Sequence, residues 1–278
     1  MSPSRILVPL DGSSTAEAIL PVLKTLVPDH AAKVYLLSVL DQADLPPRAG
    51  PYLGRACTRL RSEGVEVAWD LRLGAAADAI LAYAQECQAD LIAMSTHGRS
   101  GLSRLLMGSV TEEVLRHSDL PLLVCRPGTA AREGRMVIAT LDGSPEAEAV
   151  LPDAIRFARG LNARLHLVQI AVPYVAMGGF GDFPMKYSCE APLPYLEDVG
   201  RRLADEGVTV ETKVRVGGAA GEILRHAEKT AATLICMTTH GRSGLDRLML
   251  GSVAEEVLRG APCPVLVRRT VGVAAGTT

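Results

Sequence analysis

The chain has 278 residues, 48% of them apolar, which is enough for one large or two ordinary domains with buried cores. Charged residues make up 22% and nearly cancel to a formal net charge of −2, and aromatics are only 4%. That balance excludes the basic surface and the stacking platform a nucleic-acid partner needs.

In chain order, the opening MSPSRILVPLDGS has no long apolar run of the secretory type. No later stretch reaches the ~20 apolar residues of a membrane span. Apolar runs of strand length follow at Ile6–Leu10, Val34–Leu40, Val65–Leu73, Leu91–Ser95 and Leu122–Arg126, with helical patterns between them at Ser14–Val27 and Ala76–Gln88. The first helix is expected to open on a capping box, Ser14 with Glu17. Near-continuous apolar strands alternating with helices predict an α/β fold, a doubly wound parallel sheet covered on both faces.

The chain then repeats itself. ILVPLDGS (Ile6–Ser13) returns as VIATLDGS (Val137–Ser144), and GAAADAILAYAQECQADLIAMSTHG (Gly74–Gly98) as GGAAGEILRHAEKTAATLICMTTHG (Gly217–Gly241). SDLPLLVCR (Ser118–Arg126) returns as APCPVLVRR (Ala261–Arg269). The predicted organisation is a domain over 1–127, a Pro/Gly/charged linker over 128–134, a second domain over 135–270 and a fraying tail over 271–278. The second copy is longer, and its excess falls in Ala171–Pro192, a glycine-rich stretch readable as a lid or as a disordered or oligomer-contacting loop. Its first helix is expected to start with Ser144 as N-cap and Pro145 in the first turn.

The longest shared phrase is THGRSGLSRLLMGSVTEEVLR (Thr96–Arg116), which recurs as THGRSGLDRLMLGSVAEEVLR (Thr239–Arg259). The two differ only at Ser103/Asp246, Leu106/Met249, Met107/Leu250 and Thr111/Ala254. Glycines here permit positive φ or a close backbone approach. Ser109 with Glu112, and Ser252 with Glu255, have capping-box spacing, so helices are expected to start at Ser109 and Ser252. A helix start offers N–H groups and partial positive charge to a phosphate, and Arg99 and Arg104, or Arg242 and Arg247, would add charged contacts. The competing account is a structural joint that a duplicated fold needs twice. LDGS also ends a strand, and where strand order reverses beside strand 1 the ends of strands 1 and 4 flank a crevice. Asp11 and Asp142 would face it as acceptors for an adenine amino group or a ribose hydroxyl, or else serve only as turn formers.

Cys57, Cys87, Cys125, Cys189, Cys236 and Cys263 form no C-x-x-C pair and no zinc spacing, and read as buried thiols of a reducing, cytoplasmic compartment. There is no Walker A lysine and no G-x-S-x-G elbow. His97 and His240 could be bases but read better as backbone-fixed residues. A nucleotide-binding regulator with, at most, slow ATP hydrolysis is the preferred reading, against a scaffold whose sites are vestigial.

Each half resembles the universal stress protein domain over nearly its whole length, on VPLDGS at the start and on STHGRSGLSRLLMGS with LPLLVCR at the end. The resemblance implies two tandem domains, each a five-stranded parallel sheet in the order 3-2-1-4-5. It also implies ATP binding through a G-x2-G-x9-G-[ST] pattern. Gly98, Gly108 and Ser109 fit that pattern, as do Gly241, Gly251 and Ser252, while Ser95 and Thr238 stand where its first glycine would be. The site it implies in the first copy is Pro9, Leu10, Asp11, Val39, Met94, Ser95, His97, Gly98, Arg99, Gly101, Gly108, Ser109, Val110 and Thr111. In the second copy it is Thr140, Leu141, Asp142, Ile170, Met237, Thr238, His240, Gly241, Arg242, Gly244, Gly251, Ser252, Val253 and Ala254. A nucleotide's Mg would lie near Asp11 or Asp142. The partners implied are an adenine nucleotide, a second domain paired through the strand-5 edges into a pseudo-dimer within the chain, and a second chain in a homodimer.

Overall fold

A computed structural model of the chain describes residues 3–27, 32–40, 49–96, 107–129, 132, 134–171, 192–204, 206–239 and 250–270. In the first copy the elements run β1 (Arg5–Pro9), α1 (Ile19–Leu26), β2 (Lys33–Leu40), α2 (Ala49–Ser62), β3 (Glu66–Leu73), α3 (Ala76–Glu86), β4 (Leu91–Ser95), α4 (Ser109–His117) and β5 (Leu122–Cys125). The second copy repeats the plan with β6 (Met136–Leu141), α5 (Pro145–Glu148), α6 (Leu151–Gly160), β7 (Arg164–Ala171), α7 (Pro192–Ala204), β8 (Val210–Val216), α8 (Ala219–Lys229), β9 (Leu234–Thr238), α9 (Ser252–Gly260) and β10 (Val265–Arg268).

Among the described residues the strands form one sheet in the order β3-β2-β1-β4-β5-β10-β9-β6-β7-β8. Each copy therefore has the order 3-2-1-4-5 that the resemblance implies, with parallel neighbours throughout. The two sheets meet edge to edge where β5 and β10 pair antiparallel, with Leu123 opposite Leu266. Each edge strand satisfies the other's backbone groups, which would otherwise be exposed templates for pairing.

Side chains alternate between the faces, as a strand period of 2 requires. Ile6 and Val8 join one buried layer with α1 and α2, while Leu7 joins the opposite layer with α3 and α4. Both layers run across the β5–β10 seam, since Leu123 and Leu266 share one and Val124 and Val265 the other. Each such side chain, fully buried, contributes about 1.5–3 kcal/mol. α6 shows how sequence places a helix: Leu151, Ala154, Ile155 and Ala158 recur at helical spacing and are buried, with Phe157 beside them. Asp153 is buried too, and its carboxylate is met by Arg268 Nε at 2.6 Å and Arg156 Nη2 at 3.1 Å.

Helix starts depart from the sequence reading in two ways. Ser14 and Glu17 make no capping box. Ser13 takes the cap, its Oγ accepting from Ala16 N at 3.1 Å, and a 3-10 turn over Ala16–Ala18 precedes α1. The reason is Asp11, whose Oδ1 accepts from Ser13 N and Oγ at 2.9 and 2.6 Å and fixes the turn one residue early. Glu17 goes instead to Arg59 at 3.1 Å. The second copy follows the same geometry, with Ser144 Oγ as the expected cap, accepting from Ala147 N at 3.2 Å, and Pro145 opening the helix.

Ser109 and Ser252 start helices as expected, but as first helical residues. The cap positions are Gly108 and Gly251, and no side chain caps either helix. Glu112 and Glu255 pair with Arg116 and Arg259 one turn on, so neither reaches back.

Candidate functional site

β1 has β2 on one side and β4 on the other, and β6 likewise has β7 and β9, so each copy reverses its strand order there. Ligands of open α/β sheets bind outside the carboxyl ends of the strands at that switch point. In the second copy it holds a cavity of about 260 Å³. Its walls include Thr140, Leu141 and Asp142 at the end of β6, Ile170 on β7, Met237 and Thr238 on β9, and Gly251, Ser252, Val253 and Ala254 at the start of α9. Every second-copy site residue among the described ones is thus brought to one cavity. His240, Gly241, Arg242 and Gly244 lie outside the described residues, as does Arg247.

The cavity pairs an apolar side with a polar one. Val168, Ile170, Ile223 and Met237 offer hydrocarbon, while Asp142, Thr140, Thr238, Thr239 and Ser252 offer polar groups. Asp142 Oδ1 accepts from Ser144 N at 3.0 Å and from Ser144 Oγ at 2.6 Å, an Asx turn that orients the carboxylate beside Gly143 (φ 87°). Across from it, the first N–H groups of α9 have no acceptor within the helix. Gly251 N donates to Thr239 O at 3.0 Å, and the next three residues, Ser252, Val253 and Ala254, line the cavity. A β-carbon on Gly251 would stand 2.7 Å from that same oxygen, so glycine is required by close approach and not by φ, which is an ordinary −62°. The phrase is therefore a structural joint and the rim of a cavity at once.

The first copy repeats the frame. Leu10 is buried and its N–H donates to Leu37 O at 2.7 Å, holding the end of β1 beside Pro9. Asp11 holds the Asx turn described above, and Gly12 carries the positive φ of 83°. Val39 is half-buried and Met94 buried. Ser95 O accepts from the Thr111 hydroxyl at 3.1 Å, and Gly108 N donates to Thr96 O at 2.6 Å. These bonds place the first turn of α4, with Ser109 and Val110, against the end of β4. His97, Gly98, Arg99 and Gly101 are outside the described residues, together with Arg104.

Sequence reasoning missed Ala147, Val168, Ala219, Ile223 and Thr239 of the cavity lining. Val168 follows from the strand period, two residues before Ile170, and Ala219 and Ile223 lie in the repeated GGAAGEIL segment. It also missed an ion pair behind each Asx turn, Arg59 with Glu17 and Arg202 with Glu148, which a tyrosine hydrogen bond joins in the second copy. Tyr195 Oη donates to Glu148 at 3.0 Å and Arg202 Nη2 meets the same carboxylate at 2.9 Å, tying α7 to α5. Burial and then Glu148 push the Tyr195 phenol above its ordinary value, and burial and then Glu17 do the same to Tyr52. The repeated PYL (Pro51–Leu53, Pro194–Leu196) was the available signal.

The family model that matches is that of the universal stress protein family, over residues 3–126 and again over 135–269. The chain belongs to the universal stress protein family. It is 34% identical over 141 residues to the universal stress protein MJ0531 of Methanocaldococcus jannaschii, a match covering 48% of this chain and 81% of that one. A universal stress protein of Mycolicibacterium smegmatis matches along the whole length, 25% identical over 296 residues, covering 95% of this chain and 96% of that one. The fold is shared with a crystal structure of a universal stress protein from Archaeoglobus fulgidus, at a TM-score of 0.74 and 22% identity, covering 95% of this chain and 98% of that one. Among the described residues of this universal stress protein, no helix is long and apolar enough to cross a membrane.

Proposed function

We propose that this universal stress protein is a nucleotide-dependent regulator that binds ATP at the switch point of each copy. The observation that carries the reading is the second copy's cavity, where an apolar slot, an oriented carboxylate and an uncapped helix start converge. Ile170 and Met237 suit the faces of an adenine ring. Asp142 suits its amino group or a ribose hydroxyl, and the N–H groups of Ser252, Val253 and Ala254 suit phosphate oxygens. Several donors acting together matter more than the helix dipole, which contributes about 0.3–1 kcal/mol. Asp11, Val39, Met94 and Ser109 play the same parts in the first copy.

Among the described residues no three of His, Cys, Asp and Glu gather as a metal site. Mg would come with the nucleotide, near Asp11 or Asp142. The β5–β10 pairing supports a pseudo-dimer of domains, 1–127 and 135–270, within one chain. Cys57, Cys87, Cys125, Cys236 and Cys263 are free and buried, which suits a reducing cytoplasm.

Nucleotide analysis of the purified protein by mass spectrometry tests the reading. Co-purifying or readily loaded ATP is expected, and a Gly108→Leu/Gly251→Leu double variant should lose it. Unchanged ATP content in the double variant would refute the site, and a protein that never takes up nucleotide would be a scaffold.

A further inference from the structure

His166 on β7 and His226 on α8 meet inside the second copy, 4% and 2% exposed. His166 Nδ1 lies 3.1 Å from His226 Nε2, and Arg215 Nη2 lies 3.1 Å from His226 Nδ1. Arginine has no acceptor, so His226 Nδ1 accepts and its Nε2 carries the hydrogen. That hydrogen goes to His166 Nδ1, which leaves the His166 hydrogen on Nε2, 3.3 Å from Glu211 Oε2 and off the hydrogen-bonding direction. The run from Arg215 through His226 to His166 has one direction and needs two neutral rings. A further proton on His226 Nδ1 would confront the Arg215 N–H, and one on His166 Nδ1 would confront the His226 N–H.

The charged groups facing the pair are Arg164 on β7 and Glu211, Lys213 and Arg215 on β8. Glu211 is shared with Arg164 at 3.0 Å and Lys213 at 3.4 Å, so its charge is largely spent elsewhere. Burial and then Arg215 hold His226 down at about 4, and burial lowers His166 against the opposing pull of Glu211.

The first copy fills these positions differently. Tyr35 lies opposite Leu7 as His166 lies opposite Ile138, and Tyr83 matches His226 in the repeated segment. The two tyrosines pack edge to face at 6.5 Å, and Arg72, at the register position of Arg215, sits over the Tyr83 ring at 4.9 Å. Burial pushes the Tyr83 phenol above its ordinary value, further from neutral pH.

Both histidines stand beneath the cavity. His166 shares its face of β7 with Val168 and Ile170, and His226 follows Ile223 by one turn of α8. Val168, Ile170 and Ile223 line the cavity. We propose that His166 and His226 form an acid-released clasp between β7 and α8, which loosens one wall of the second copy's cavity and has no counterpart in the first copy. The clasp stands on the two rings and their partners alone; only its effect on ATP rests on the function proposed above.

Amide exchange of the full chain without nucleotide, corrected for intrinsic rates, tests it. Opening of residues 219–229 is expected to rise about tenfold for each pH unit below about 6.5 for each proton taken up, while residues 76–86 keep their protection. A His166→Tyr/His226→Tyr variant, which transplants the first copy's pair, should lose that response. A wild-type α8 that responds no more than α3, or a response that survives in the double variant, would overturn the clasp. Ring proton signals of the wild type give a second reading that needs no variant: both should titrate below free histidine, and titration at the free value would overturn it too. ATP affinity at both pH values then separates the two claims. Weakening at one site of two extends the clasp to the ligand. Binding at neither site removes the nucleotide reading and leaves the exchange result standing.

Discussion

Gly251 donates its amide to Thr239 O at 3.0 Å, and the space for a side chain at Gly251 is taken by that same oxygen. The start of α9 is thereby pressed against the end of β9, and the α9 wall of the cavity is set by a backbone contact. Gly251→Ala keeps an accessible φ, so its effect isolates the lost close approach. Overpacking of this kind typically costs about 1–3 kcal/mol. We expect a lower thermal midpoint and weaker ATP binding, both read by calorimetry.

Gly221 gives the opposite sign. It lies inside α8, and a β-carbon there would meet only the flexible end of Arg225 at 3.6 Å. Gly221→Ala should therefore stabilise the chain by about 0.5–1 kcal/mol through helix propensity. Urea unfolding measures it, and ATP affinity should not change.

Ser144 caps α5 and also donates to Asp142, so one hydroxyl serves stability and the site together. Ser144→Ala should lower stability by about 0.5–2 kcal/mol. It should also weaken ATP binding at the second copy, because the Asp142 carboxylate loses one of its two Ser144 donors. Urea unfolding reads the first effect and nucleotide titration the second.

Acid should weaken the second copy through His226. Its ring falls from an ordinary 6.5 to about 4 in the fold, so the unfolded chain takes up a proton first as pH falls. The stabilisation is complete above about pH 6.5 and is lost as pH falls toward 4, on the order of 3 kcal/mol. Urea melts at neutral pH and near pH 4.5 should show this loss in the wild type and a smaller one in His226→Tyr.

The duplication and the strands were legible because apolar runs and repeats are long and redundant, and the sheet order followed from the family resemblance. LDGS and THGRSG each occur twice, and β1, β4 and their equivalents end where those phrases begin. The caps were misread because a capping box is a spacing rule, and spacing does not reveal a competitor. Asp11 claims Ser13 and moves the cap off Ser14, and the Thr239 carbonyl makes Gly251 the cap in place of Ser252. The second-copy site was assembled from motif residues, yet Ile223 and Val168 were missed because they look like ordinary core positions. The His166–His226 pair was invisible since its partners come from β7, α8 and β8, which only the fold brings together.

ATP-dependent thermal unfolding of the full chain, with an Asp11→Ala/Asp142→Ala variant beside it, tests nucleotide binding most directly. A filled site at 100 times its Kd adds about 2.7 kcal/mol. The wild type should show a rising midpoint with ATP, and the double variant should show little or none. A midpoint indifferent to ATP at millimolar concentration, or an equal rise in the double variant, would contradict the account.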